Sequence, residues 1–185
     1  MDIEKNIKLH NKIAKKYEAT HTEIYNNIEQ TRLVNDLEKS LSFINKSNVN
    51  ALDLGCGAGN LTNHLLNMGC DVIAADVSTG FLDLVKDKFF GRNVSTFQLN
   101  GKDLNGIEDN SIDFIATYSV LHHIPDYIMT INEMIRVCAP GGIIYIDHEQ
   151  NNEYWEPKSE YQEFLKRLTT TLPLCNRLPQ LWNRN

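Results

Sequence analysis

The nine residues LDLGCGAGN, Leu52 to Asn60, decide the fold of this 185-residue chain. They leave a short apolar run, VNALDL from Val49, and enter the helical stretch Leu61–Met68. A glycine-rich turn between a strand and a helix is a ligand-binding context, whereas the same glycines elsewhere carry little information. Gly55, Gly57 and Gly59 let the backbone turn sharply and come close to a ligand that side chains would obstruct. The helix beginning near Asn60 turns its amide groups and the positive end of its dipole toward the same space.

Outward from this turn the pattern repeats. DVIAAD (71–76), VSTFQL (94–99), SIDFIATY (111–118) and GGIIYID (141–147) are four further strands, each bounded by glycine, asparagine, serine or aspartate. Helical stretches at Phe81–Phe89 and Ile128–Val137 alternate with them. Near-continuous apolar strands alternating with helices predict an α/β, doubly wound (Rossmann-like) parallel sheet with helices on both faces. Residues 1–48 read as an N-terminal helical cap, in which Ile24, Ile28, Leu37, Leu41 and Ile44 recur at helical spacing. Residues 49–150 form the core domain, and 151–185 a C-terminal helical tail of the same domain. The tail holds Pro173 and Pro179 and no alternating apolar run, so it offers no strand.

Composition narrows the function. Apolar residues make up 42% and charged residues 23%, as in ordinary globular domains. No apolar run approaches the ~20 residues of a membrane span. The N-terminal MDIEKNIKLH lacks a signal-peptide core. A net charge of −6 disfavours nucleic acid as a partner. Four widely spaced cysteines form no CxxC pair, so no metal site is expected, and the thiols suit a reducing cytoplasm.

Two ligand classes compete for the glycine turn. A dinucleotide asks for glycine at the first, third and sixth positions, but the sixth is Asn60, and the third glycine comes one residue early. A pyrophosphate also has no use for a neighbouring carboxylate, yet Asp53 stands two residues before Gly55. An ammonium group suits that carboxylate, and S-adenosylmethionine has one, together with a carboxylate for the helix end and a ribose. Asp76 closes the second strand, placed to accept two ribose hydroxyls. The alternative for Asp76 is a cap on the next helix.

LDLGCGAGN, AADVS from Ala74, YSVLHHIPD from Tyr118 and EMIRVCAPGGIIYID from Glu133 resemble, in order and spacing, the signature blocks of class I S-adenosylmethionine-dependent methyltransferases. The resemblance covers about residues 49–148 and is nearest to the small-molecule, ubiquinone-biosynthesis-like branch. It implies S-adenosyl-L-methionine as cofactor, with Asp53 near the methionine ammonium and Gly55, Cys56 and Gly57 along the methionine moiety. Asp76 would take the ribose hydroxyls, Val77 would pack on the adenine, and Tyr118 would lie near the methionine end. Where the family often has an aspartate and a small residue after the third strand, hydrogen-bonding the adenine edge, this chain has Asn100-Gly101, with Asp103 three residues on. The resemblance implies that Asn100 and Gly101 contact the cofactor, the Asn100 side-chain carbonyl reaching the adenine's exocyclic amine.

Methyl transfer from a sulfonium needs mainly positioning, and a base only for an acceptor that holds its proton tightly. His123, after the fourth strand, is the candidate base, against the alternative that it braces its loop. Tyr17, His21 and Tyr25, at spacing four, are candidates for the acceptor pocket. The expected activity is methyl transfer to a small molecule. A cofactor-binding module without activity that regulates a partner is the alternative. Family members usually close the sheet with a final strand pair, which is absent here. The exposed fifth strand then implies a covering by the tail and Trp182, a homodimer, or, as favoured, that this chain is the front part of a longer protein.

Overall fold

The computed structural model describes residues 24–149 and Glu163. The chain divides into two units, Met1–Glu149 and Gln150–Asn185, and the description below concerns the first. Its elements are α1 (Asn27–Leu41), β1 (Asn50–Leu54), α2 (Asn60–Asn67), β2 (Asp71–Asp76), α3 (Thr79–Lys88), β3 (Val94–Gln98), β4 (Ile112–Tyr118), a short 3-10 turn (Leu121–His123), α4 (Tyr127–Val137) and β5 (Cys138–Asp147). The five strands lie in the order β3-β2-β1-β4-β5, and all four pairings are parallel. The doubly wound α/β expectation holds.

The interior strands explain their own sequences. β4 is buried along its whole length, because it lies between β1 and β5 and is covered on both faces. On one face α1, α2 and α3 bury Leu33, Leu37, Leu61, Leu65 and Val85 against Ala51, Phe114 and Ala116. On the other, α4 sends Met134 and Val137 against Leu52, Ile112 and Ile115. Each fully buried leucine contributes roughly 1.5–3 kcal/mol over an exposed one. Asn26, Ser78 and Asp126 cap α1, α3 and α4, their side chains accepting from the amides of Glu29, Phe81 and Met129.

Two expectations change. First, the apolar residues at helical spacing do not all pack on the core. Ile28 is 86% exposed, and Leu33 with Leu37 anchors the helix in the core. Second, Tyr25 stands in the turn before α1 rather than on a helix face, while Tyr17 and His21 lie outside the described residues. The crossover from β3 to β4 holds no helix, and Leu104 and Ile107 fill the second core there. β5 lies at one edge of the five strands, half-buried over most of its length. The expectation about the tail and its missing strands falls on residues outside those described.

This topology decides where a site can form. Leaving the central β1, the chain goes to β2 on one side, and β4 packs on the other. The loops after β1 and β4 diverge there, opening a crevice at the carboxyl ends of the strands.

Candidate functional site

The turn after β1 is held from behind. The amides of Gly55 and Cys56 both donate to the Ala75 carbonyl of β2, at 2.8 and 2.9 Å. Gly55 has φ +76°, and a Cβ there would sit 2.5 Å from a Val120 methyl, so this glycine lets the β1 and β4 loops touch. At Gly57, φ +48°, a Cβ would meet nothing within 4 Å. The protein itself therefore does not need a glycine there for space; the opening faces the crevice.

Two buried carboxylates flank the turn. Asp53 is 1% exposed. Its Oδ2 accepts from the Thr62 amide at 2.8 Å and the Thr62 hydroxyl at 2.5 Å. Asp53 thus caps α2 from the preceding strand, where Gly59, the residue in the cap position, has no side chain to do so. Burial pushes its carboxyl up to about 7 despite the Thr62 bonds, and the neighbouring Asp76 adds to the rise. Asp76, 7% exposed, accepts from the Gly57 amide at 3.0 Å and from the Ser78 amide at 2.8 Å. Since Ser78 caps α3, Asp76 is not that helix's cap. Burial also pushes the Cys56 thiol far up, so its sulfur packs rather than reacts.

A cavity opens along the turn. Its walls include Gly55, Gly57, Asp76, Val77, Gly101, Tyr118 and His123, all singled out from the sequence. Asp53 and Cys56 are buried and do not line it, and Asn100 is absent from its walls. The Asn100 side-chain Oδ1 accepts from the amides of Lys102 and Asp103, a closed turn that engages it within its own loop. Asp103, next in that turn, does line the cavity.

Sequence reasoning missed the apolar part of the cavity wall, Leu54, Phe81, Leu99, Leu104, Ile124 and Pro125. Leu99 could have been found as the last residue of its strand run. Leu104 could not, because its place depends on Glu133 and Arg136. Glu133 accepts the Leu104 amide at 2.9 Å, and the Arg136 guanidinium reaches the carbonyls of Leu104 and Ile107. Arg136 beside it holds the Glu133 carboxyl down at about 2. Chemically, the cavity combines apolar wall residues with the Asp76 carboxylate, and Asp53 lies buried behind the turn.

On the β4 and β5 side the polar groups are occupied with one another. The Tyr118 hydroxyl donates to Glu29 at 2.8 Å. Arg32 bridges Glu29, Asp36 and Asp147 at 2.5–2.8 Å, tying α1 to the end of β5. The Tyr145 hydroxyl donates to Asp147 at 2.6 Å. Among the described residues no group of histidine, cysteine and carboxylate side chains could hold a metal ion. Nor is any helix among them long and apolar enough to cross a membrane.

Residues 52–146 match the family described as methyltransferase domain. The chain is 35% identical over 104 residues to a demethylmenaquinone methyltransferase of Staphylococcus saprophyticus, covering 54% of this chain and 44% of that protein. It is 28% identical over 97 residues to a ubiquinone biosynthesis O-methyltransferase of Methylococcus capsulatus, covering 51% of this chain and 41% of that one. The chain thus spans less than half the length of these curated relatives. Among solved structures it is similar in fold to a SAM-dependent methyltransferase from Aquifex aeolicus, with a TM-score of 0.54 and 23% identity over 74% of this chain and 77% of that one.

Proposed function

The chain belongs to the class I S-adenosylmethionine-dependent methyltransferases, and from that premise we propose that it transfers a methyl group from S-adenosyl-L-methionine to a small-molecule acceptor. One observation carries the reading: a glycine whose missing side chain leaves open space, Gly57, lies between a strand-end aspartate, Asp76, and a buried carboxylate, Asp53, held near neutrality. That combination suits a ligand with a cationic amine and a ribose. When bound, S-adenosylmethionine supplies an electrophilic methyl group.

The residues present fit this cofactor. Asp76 would accept from ribose hydroxyls, and Val77, Leu99 and Leu104 would bound the adenine slot, with Gly101 leaving room beside them. Asp53 would favour the ammonium through the turn rather than by lining the cavity. Val120, packed on Gly55, closes the crevice from the β4 side and limits the access of water. His123 stands on the cavity wall, and in our reading its ring takes the proton from an acceptor that needs a base. Tyr118 supports the acceptor end through its backbone, since its hydroxyl is engaged by Glu29. The names of the quinone-pathway relatives favour a small acceptor over a macromolecule.

Titration calorimetry with S-adenosylmethionine and its demethylated product, beside transfer of a labelled methyl group to a panel of phenolic and quinol acceptors, tests the reading. One-to-one binding with label transfer is expected. Binding without transfer to any acceptor would favour a cofactor-binding module, and no binding would remove the assignment.

A further inference from the structure

The segment leaving β5 fastens the loop leaving β4. Glu149 stands two residues beyond the end of β5. One oxygen of its carboxylate lies 2.8 Å from both the Val120 and Leu121 amides. The other lies 3.1 Å from the His122 amide and 2.8 Å from the His122 ring Nδ1. Three successive N–H groups thus converge on one anion supplied by the chain itself. Burial alone would raise the Glu149 carboxyl, but the Leu121 and Val120 amides and the His122 ring outweigh it and hold it below the ordinary value.

What this carboxylate grips is the crevice wall. Ser119 and His148 both have left-handed backbones, φ +61° and +56°, that non-glycine residues avoid. Such conformations persist where their surroundings over-determine them. Here the Ser119 amide donates to the Asp147 carbonyl at 3.0 Å, and the His148 ring stacks on Tyr118 at 4.8 Å. Val120 is the residue whose methyl groups rule out a side chain at Gly55. Ser119, Val120 and His123 all line the cavity.

We propose that Glu149 is a positioning residue for the transfer site: by gathering the Val120, Leu121 and His122 amides it fixes the wall formed by Ser119, Val120 and His123. The proposal rests on reading the cavity as the S-adenosylmethionine site. It assigns to the exit of β5 a role that neither the glycine turn nor His123 performs.

Glu149→Gln keeps the shape, removes the charge, and turns one acceptor into a donor facing N–H groups. It should weaken binding of S-adenosylhomocysteine about tenfold by calorimetry while the unfolding midpoint moves only a few degrees. In spectra of nitrogen-15-labelled histidine the His122 Nδ1 resonance should shift. Glu149→Asp, which keeps the charge, should recover most of the affinity. Unchanged affinity in Glu149→Gln overturns the proposal, as does a loss that follows unfolding and is not restored by Glu149→Asp. Amide exchange supplies a second measurement: at Val120, Leu121 and His122 it should be slow in the ligand-free native protein and at least tenfold faster in Glu149→Gln, while the amides of β1 stay protected, and unchanged exchange at the three overturns the proposal. Failure of the native protein to bind S-adenosylhomocysteine removes the functional reading instead.

Discussion

At the ends of β1 and β2 the protein buries two carboxylates, Asp53 and Asp76, close enough for one to raise the other, and no ion pair reaches Asp53 among the described residues. At the ends of β4 and β5 the arrangement is the opposite. Arg32 answers Glu29 and Asp147, and Glu149 is answered by three amides and His122. Both ends belong to the same sheet edge and frame the same crevice. A region whose charges are balanced internally is stable without company, whereas one that buries a carboxylate unanswered by a cation is a candidate for binding a charged ligand. The contrast separates a half organised for a ligand from a half organised to hold itself in place.

The largest effect expected from breaking this contrast is at Asp76. Asp76→Ala removes the acceptor for two ribose hydroxyls and the partner of the Gly57 amide. Cofactor binding should weaken by roughly 2–4 kcal/mol, read by calorimetry. An unchanged affinity would remove Asp76 from the site.

Asp53 comes next, through pH. Its folded-state value, about 7, lies above the ordinary 3.8, so the fold favours the neutral acid. The contribution of Asp53 to stability is therefore greatest at low pH, falls as the pH climbs from about 4 to about 7, and is level beyond. Asp53→Asn should abolish that decline, leaving the variant more stable than the native protein at pH 8 by on the order of a few kcal/mol. Chemical denaturation of the ligand-free protein at pH 5 and pH 8 measures it. An ammonium ligand favours the ionised form, so native affinity for S-adenosylmethionine should rise over the same pH interval, and that of Asp53→Asn should not.

A paired substitution sharpens the contrast within one turn. Gly55→Ala meets Val120 at 2.5 Å and should destabilise the fold by about 1–3 kcal/mol. Gly57→Ala meets only open space and should destabilise by about 1–2 kcal/mol from its backbone conformation, yet lose most cofactor affinity. If both variants lose stability and keep binding, the opening at Gly57 is not a ligand space.

The smallest effect belongs to the self-balanced half. Arg32, 40% exposed at its side chain, is screened by water. Arg32→Met should cost about 1 kcal/mol or less and leave cofactor affinity within twofold. A large affinity loss would show that the two halves are coupled through α1.

The same contrast explains what was legible in the sequence. The strands were readable because burial on both faces leaves near-continuous apolar runs, and the glycine turn because its chemistry is local, within Asp53 to Asn60. Asp76 was readable because strand ends are where such folds bind ligands. Ile28 was misjudged because helical spacing marks a face without saying which neighbour covers it; Leu37 of the same set is buried, beside Leu33, which the spacing did not single out. Asn100 shows a second limit. Its type suits an adenine edge, but a side chain that closes a turn with amides two and three residues on competes with any ligand. Glu149 was invisible because its partners lie 27–29 residues earlier in the chain, a separation no local pattern encodes.

The contact between Val120 and the Gly55 turn also sets a schedule. The ribosome makes Gly55 some 65 residues before Val120, which at 5–20 residues per second is roughly 3–13 s. Throughout that interval Asp53, and Asp76 once it is made, lack the wall that encloses them, and β1 presents a bare flank where β4 will pair. A cavity walled by residues from Leu54 to Glu133 is completed late in the birth of the protein. For those seconds the unpaired side of β1 is the part of the nascent chain most exposed to mispairing.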